Sequence, residues 1–283
     1  SSVLPASGSA SHAYTYDEAG RLTGIGYPGS VGVGYSYVNG AVRAVTVTLG
    51  GISHSVATDI AHQPFGPTRS WNYGNGLSRT QAFDLDGRVT ELNTKHGGTD
   101  LQRLTYGYDG GNRIIALTNH PHASLSQGYG YDGLDRLTTV TASGADQGFT
   151  WDANGNRTSH TWGGLLDGYT THASNNRLTA ITGPRATAYT YDNAGNTLSG
   201  EGATYTYSPF NRLATASKGG TTTTYAINAL GQRVHKKVGS GADHWFTYGP
   251  GGQQLGEYNG GWTHYVRLPD GTPIARVKGG DLH

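Results

Sequence analysis

Two sulfur-containing residue types are missing from this 283-residue chain, which has no cysteine and no methionine. Without cysteine there is no disulfide, no thiol nucleophile and no thiolate ligand for a metal, although this absence does not identify the cellular compartment. A chain without methionine cannot begin at its own translation start. We therefore expect a processed product, a piece of a longer protein, or the ordered part of one.

Charged residues and long apolar runs are also scarce. Only 14% of the residues are charged and the formal net charge is +1, so nothing predicts the basic patch that nucleic-acid binding needs. No run of about 18 apolar residues predicts a transmembrane helix, and no signal peptide is recognisable. No stretch shows a helical apolar period over about 11 residues or more, so we expect little or no helix.

Glycine and tyrosine are abundant instead, with 46 Gly and 19 Tyr. Glycine at this level without a collagen period is typical of many tight turns between short strands. Asn39-Gly40, between the alternating valine-rich halves of residues 31–49, is a strong hairpin signal. The composition therefore predicts an all-β fold.

One motif recurs along the chain, and its clearest copy is Y-G-Y-D-G-L-D-R-L-T-T-V at residues 129–140. Tyr129 and Tyr131 are two positions apart, so they lie on the same face of a strand. The carboxylate of Asp132 can accept backbone N–H groups just downstream, and a Gly or Asn that permits positive φ closes the turn. Arg136 then begins a returning strand, so each copy predicts a β-hairpin.

Further copies fill nearly the whole chain, and the clearest of them begin at Tyr14, Tyr106, Phe149 and Tyr189. Together with looser copies they make about a dozen units at a spacing of roughly 20 residues, which is typical of a repeat architecture. Each hairpin can bury its apolar face only against its neighbours, so we expect one repeat domain over residues 13–281. Residues 1–12 are small and polar, and they predict a flexible N-terminal arm or linker.

With this motif repeated from Tyr14 onward, the sequence resembles the YD-repeat family, also called RHS or rearrangement hot spot proteins. The resemblance, which extends to the repeat regions of toxin cocoons and teneurins, implies consecutive antiparallel β-hairpins in a spiral sheet, part of a β-cocoon or barrel-like shell. It also implies a secreted or cell-surface bacterial protein. The family's D-H-L-G-T-P junction and its self-cleaving D-P-x-G-L pattern are both absent from this sequence, so no cleavage residue is assigned.

Three classes of function follow from these features. The leading one is a structural shell or scaffold segment that helps enclose a toxin or effector, or acts as an extracellular contact module. The alternatives are an extracellular glycan- or protein-binding module and a polysaccharide-acting hydrolase or lyase, although no catalytic constellation is identified. Because the end strands of a hairpin ribbon expose unpaired backbone groups, we expect the remainder of the same protein, a second copy or another chain to cover them. The chain is then not a closed globule by itself.

The aspartates of the motif are its most conspicuous carboxylates. A catalytic acid is needed once, whereas a turn cap is needed in every hairpin, so we interpret these aspartates as turn caps. They are Asp17, Asp84, Asp109, Asp132, Asp152 and Asp192. We expect the matching arginines, Arg21, Arg88, Arg113, Arg136 and Arg157, to pack along tyrosine faces or to pair with neighbouring Asp.

Aromatic residues and histidines supply the remaining candidate sites. The motif aromatics form either a stacking platform or a cross-strand packing ladder. The tryptophans outside the main aromatic slot are possible ligand contacts: Trp71, Trp162, Trp245 and Trp262. A possible histidine cluster comprises His235, His244 and His264. A zinc site needs three or four converging ligands and no H-E-x-x-H spacing is present, so we predict no metal and no cofactor.

Overall fold

A computed structural model of the protein describes residues 2–3 and 9–283. Within this part the chain is built from β-strands, and its one helical element is a 3-10 turn at Ala123–Leu125. The prediction of an all-β chain of antiparallel hairpins is confirmed. The predicted arm at residues 1–12 lies partly outside the described residues. Within them, Ser2–Val3 (β1) pairs with Ser9–Ala10 (β2).

The strands belong to two compact units. The first unit comprises Ser1–Ser78 with Thr206–His283, and the second comprises Arg79–Tyr205. Hairpins of the same kind run through both, and one repeat domain over residues 13–281 stays a prediction.

The remaining strands follow the hairpin pattern in chain order. They begin with β3 (Ala13–Tyr16), β4 (Leu22–Tyr27), β5 (Val31–Val38), β6 (Ala41–Leu49), β7 (Ile52–His62), β8 (Thr68–Tyr73) and β9 (Leu77–Phe83). Then come β10 (Val89–His96), β11 (Thr99–Tyr108), β12 (Ile114–Asn119), β13 (Gln127–Tyr131), β14 (Leu137–Ala142), β15 (Gln147–Trp151), β16 (Arg157–Trp162), β17 (Leu165–Thr171), β18 (Leu178–Thr182), β19 (Thr187–Ala188), β20 (Thr190–Tyr191), β21 (Thr197–Gly200) and β22 (Ala203–Tyr207). The last are β23 (Leu213–Lys218), β24 (Thr221–Ile227), β25 (Arg233–Val238), β26 (Asp243–Tyr248), β27 (Gln254–Tyr258), β28 (Trp262–Arg267), β29 (Pro273–Lys278) and β30 (Asp281–Leu282).

Each strand pairs antiparallel with the next one along the chain. This holds from β3 to β8 and from β23 to β30 in the first unit. It also holds from β10 to β19 in the second. Sequence neighbours are therefore sheet neighbours, as the repeat predicts.

A β-bulge recurs at the same point of ten hairpins in the described part of the chain. In the copy at residues 129–140, Gly130 lies opposite Thr139 and Tyr131 opposite Leu137, so Thr138 is the extra residue on the returning strand. Such a bulge bends its strand and increases the local twist. The corresponding extra residues elsewhere are Thr23, Arg43, Ile115, Thr158, Thr179, Leu198, Val234, Leu255 and Ile274.

The two units differ in how much apolar surface they bury. In the first, side chains of β4–β8 meet those of β27–β29 in one core, whose most buried members include Val45, Val47 and Val266. In the second, the buried apolar residues are few: Val140, Ile181 and Ala203. Contacts other than an apolar core must therefore connect the hairpins of the second unit.

Candidate functional site

The motif aspartate sits at the start of a tight turn and accepts several hydrogen bonds. Oδ1 of Asp132 accepts from the main-chain N–H groups of Leu134 (2.9 Å) and Arg136 (3.0 Å), and Oδ2 accepts from Arg136 Nε (2.7 Å). The turn closes with a bond of 3.1 Å from the N–H of Asp135 to the carbonyl of Asp132. Asp135 has φ of 62°, a left-handed conformation that Gly, Asn and Asp adopt most readily. One carboxylate thus binds both the turn and the returning strand.

The other motif aspartates occupy the same position. Asp17, Asp84 and Asp109 each accept from the backbone and the guanidinium of the arginine four residues later. Asp152 and Asp192 instead receive the side-chain amides of Asn156 (2.8 Å) and Asn196 (2.7 Å). The backbone N–H of Arg136, together with its guanidinium, holds the pKa of Asp132 below its ordinary value. These carboxylates are bound as anions within their own turns.

The arginine of one turn also reaches the next turn along the sheet. The guanidinium of Arg113 lies over the ring of Tyr131, 5.0 Å from its centroid, and its Nη1 is 2.6 Å from Oδ1 of Asp135. Arg136 Nη1 donates to the main-chain carbonyl of Asp152 at 2.8 Å. The same stacking joins Arg21 to Tyr37, Arg88 to Tyr108, Arg136 to Trp151 and Arg177 to Tyr191.

The stacked aromatic residue donates a hydrogen bond to a main-chain carbonyl of the preceding hairpin. Tyr131 Oη donates to the carbonyl of Ile114 at 2.7 Å, and Trp151 Nε1 donates to that of Leu137 at 2.9 Å. Further bonds of this kind join Tyr37 to Leu22, Tyr108 to Val89, Tyr191 to Leu178 and Tyr248 to Arg233. We call this repeated set of turn aspartate, arginine and next-hairpin aromatic the turn ladder. It connects successive hairpins without an apolar core.

Arg157 stacks on a tyrosine like the other motif arginines but does not pair with the aspartate of its turn. It follows Asp152 by five positions rather than four, so Asn156 takes the place of the guanidinium beside that carboxylate. Arg157 instead lies over the ring of Tyr169, 4.1 Å from its centroid. The spacing to the aspartate was the sequence signal for this difference.

The four tryptophans outside the motif slot have different surroundings, and none is in the exposed class. Trp71 is 4% exposed and belongs to the core of the first unit. Trp162 donates from Nε1 to Oδ2 of Asp167 at 3.1 Å. The ring of Trp245 lies 4.3 Å from that of His235, and Trp262 stacks on His264 at 5.2 Å. Each of these tryptophans is therefore engaged with other residues of the protein.

Strand alternation separates one of the three histidines proposed as a cluster from the other two. His235 lies opposite Trp245, so His244, the residue next to Trp245, points to the other face of the sheet. His235 Nε2 is bonded to Asp243 Oδ1 at 2.8 Å. His244 Nε2 lies 3.3 Å from Glu257 Oε2 without a hydrogen bond. Among the described residues, no three His, Cys, Asp or Glu side chains come together in an arrangement that suits a metal ion.

His264 belongs instead to a buried group that the sequence did not reveal. Its ring lies 5.1 Å from that of Tyr27, which also contacts the ring of His12 at 5.1 Å. His12 in turn is 3.1 Å from the hydroxyl of Thr247. His264 is 1% exposed, and burial lowers its pKa to about 4, so its ring is neutral at neutral pH. No sequence signal links His12, in the predicted arm, with residues so far along the chain.

No helix in the described part of the chain is long and apolar enough to cross a membrane.

Comparisons with known proteins agree with this geometry. The model of the Teneurin YD-shell family matches residues 59–255. The repeated hairpins and their turn ladder therefore define a YD-repeat shell protein. The chain belongs to the Teneurin YD-shell family, and the resemblance inferred from the motif is confirmed. No match was found among the curated proteins.

Solved structures share the fold at low sequence identity. The Tc holotoxin pore of Photorhabdus luminescens, in a TccC3 variant, matches with a TM-score of 0.76 and 17% identity over 94% of this chain. The TcdB2-TccC3 complex matches with a TM-score of 0.62 and 14% identity over 98% of it. The same complex without its hypervariable C-terminal region matches with a TM-score of 0.60, also at 14% identity and over 98%. This chain spans 15%, 18% and 18% of the matched chains.

Proposed function

We propose that this chain is a structural segment of a YD-repeat shell wall that helps enclose a toxin or effector. The observation that carries the proposal is the turn ladder. Arg113 is bonded to Asp109 in its own turn and reaches Asp135 in the next, and Tyr131 bonds back to the preceding hairpin. Such ties give a thin sheet stiffness that its few buried apolar residues cannot supply.

Enclosure and an extracellular location are supported by the structural neighbours. These are toxin complexes, and one of them is a holotoxin pore. The chain accounts for less than a fifth of each matched chain, so the remainder of a longer RHS protein is the first candidate to cover its edges. A second copy or another chain is the alternative cover. We place the protein at the cell surface or outside the cell, which fractionation of the producing cells tests.

Limited proteolysis of Arg113→Ala tests the role of the ladder. Loss of the guanidinium removes both the bond to Asp109 and the contact with Asp135, so we expect new cleavage within residues 106–140. Arg103→Ala is the matched control, because Arg103 pairs with Glu91 on a strand and lies outside the ladder. Identical digestion patterns of the two variants and the unaltered protein would contradict the structural role.

Electron microscopy of the natively purified protein tests enclosure directly. We expect a hollow shell that contains density for a further polypeptide. A solid particle formed by this chain alone, with both end strands covered by its own residues, would overturn the proposal.

The two alternative functions have less support from the described residues. Glycan binding through the four tryptophans is disfavoured because none of them is exposed. A polysaccharide hydrolase ordinarily uses two carboxylates about 5–9.5 Å apart in a cleft. Five clefts of the described part are each lined by at most one carboxylate.

A further inference from the structure

One cleft of the second unit lies where the motif changes. The position of the turn aspartate is taken here by His172, and a Gly-Pro-Arg connection at residues 183–185 joins β18 to β19. The cleft has a volume of about 580 Å³. That volume is in the range of about 300–1,000 Å³ typical of small-molecule sites.

Arg157 lines this cleft without an anionic partner. Its guanidinium stacks on Tyr169, but no described residue forms a hydrogen bond or ion pair with it, and its Nε is buried and unbonded. Among the stacked arginines of the ladder, by contrast, Arg21, Arg88, Arg113 and Arg136 are each held by the aspartate of their own turn, and Arg177 donates to the main-chain carbonyl of Asp192. A buried guanidinium N–H without an acceptor is costly. Carboxylates and phosphates both match its planar geometry and can accept two of its hydrogen bonds.

Arg185 lines the same cleft but is already neutralised. Asp167, which is 0% exposed, accepts from the Nε of Arg185 at 2.5 Å and from its main-chain N–H at 3.1 Å. Trp162 bonds to the same carboxylate and lies beneath the guanidinium. These contacts hold the Nη2 of Arg185 2.7 Å from His160 Nδ1 and 3.2 Å from Tyr169 Oη. The side chains beside Arg157 are therefore held in place by their own contacts. The charge of Arg185 is paired with Asp167, whereas the positive charge of Arg157 is not paired with a carboxylate of any described residue.

Tyr189 and Glu201 supply an aromatic ring and a carboxylate to the same cleft. Tyr189 donates its hydroxyl to Glu201 Oε1 at 3.0 Å, and both residues line the cleft. The ring of Tyr189 lies against the Cα of Gly200, where a Cβ would overlap it. Two tyrosines thus accompany one free cation and one carboxylate. This combination suits a ligand with a single negative charge, an apolar ring face and hydroxyl donors, and it disfavours a multiply charged anion.

We propose that this cleft binds a carboxylate-bearing sugar. Arg157 pairs with the sugar carboxylate, the tyrosines contact the ring, and Glu201 accepts from sugar hydroxyls. The site goes beyond the wall function and does not depend on it, because a shell segment needs no ligand.

Titration of the full chain with D-glucuronate tests the site, with tryptophan fluorescence as the readout because Trp162 lies beneath Arg185. We expect saturable binding at millimolar ligand, and no saturation with D-glucose, which lacks the carboxylate. Arg157→Gln should weaken glucuronate binding by about tenfold or more, the effect of losing one charge-assisted pair. Arg136→Gln is the matched control, because Arg136 belongs to the ladder and does not line the cleft.

Several outcomes would overturn the proposal. One is the absence of glucuronate binding, and another is equal affinity in Arg157→Gln and the unaltered protein while circular dichroism shows both to be folded. N-acetylaspartate amide presents the same carboxylate without a sugar. Binding of that compound as tightly as glucuronate would refute the assignment to a sugar. Glu201→Gln provides a second test, since it should weaken glucuronate binding without changing the melting temperature.

Discussion

The phenolic hydroxyl of Tyr35 donates a hydrogen bond of 2.8 Å to the main-chain carbonyl of Arg267, 232 positions later in the chain. Tyr27 makes the equivalent bond of 3.1 Å to the carbonyl of Tyr265. Both rings are buried in the core of the first unit. Two neighbouring tyrosines thus join the early hairpins of this unit to its late ones, where turn chemistry alone provides no connection.

Tyr35→Phe should lower the free energy of unfolding by about 0.5–1.5 kcal/mol, since it removes one buried hydrogen bond and leaves the Arg267 carbonyl without that donor. Urea denaturation measures the change. Tyr16→Phe is the control, because Tyr16 is 59% exposed and its loss of a hydroxyl should matter little. Equal effects of the two substitutions would show that the bond to Arg267 is not stabilising.

Asp132→Ala should lower the melting temperature by a few degrees, because the turn loses three hydrogen bonds, one of them from the Arg136 guanidinium. Asp132→Asn should lower the melting temperature by less than Asp132→Ala does. Asn228 shows why: its Oδ1 accepts from the N–H groups of Leu230 and Gln232 in an otherwise similar turn. Thermal melts followed by circular dichroism compare the two variants. An Asn variant as damaged as the Ala variant would mean that the charge, rather than the cap, dominates.

Stability should fall as the pH is lowered from about 6.5 towards 4, because of His264. The pKa of His264 in the folded protein, about 4, lies below the ordinary 6.5, so the folded state favours the neutral ring. The contribution of His264 to the free energy of unfolding is therefore complete only above about pH 6.5. The loss over this window is on the order of 3 kcal/mol. Urea midpoints at several pH values measure it. Tyr27 and Trp262 contact the ring. His12, which contacts Tyr27 and whose pKa is also lowered by burial, adds to the effect.

His264→Phe provides the control for this pH dependence. The variant should keep an aromatic ring in the same buried position and show a flatter stability profile between about pH 6.5 and 4. The turn aspartates act in a different window. Their folded pKa values are lowered, as that of Asp132 is, so their contribution is lost only at still lower pH. An unchanged profile in His264→Phe would contradict the role of this histidine.

Trp71→Ala should destabilise the protein by about 3–5 kcal/mol, the usual cost of removing a large aromatic residue from a core. Denaturant titration measures the loss. Phe65→Ala is the matched control, since Phe65 is another aromatic residue of the first unit but is fully exposed at a turn. A small effect of Trp71→Ala would indicate that its side chain is available for ligand contact after all.

The hairpins themselves could be predicted because their determinants are local. Within the five residues from Asp132 to Arg136 stand the cap, the left-handed position and the first residue of the returning strand. The repetition of that pattern predicted the all-β fold and the order of strands in the sheet. It also carried the family resemblance, which depends on the same few residues.

Other features of the candidate sites could not be predicted, because they depend on residues far apart in the chain. The hairpin bulges and the register of neighbouring strands determine which face a side chain occupies, and this separates His244 from His235. Burial of Trp71 depends on the core between early and late hairpins, which the repeat does not encode. A one-residue change of spacing released Arg157 from its aspartate, but the cleft beside it arises only when the segment around Arg185 folds back onto Asp167. The chemistry of a turn depends on residues a few positions apart. The sheet face that a side chain occupies, its burial and the formation of a cleft depend on contacts between residues that are distant in the sequence.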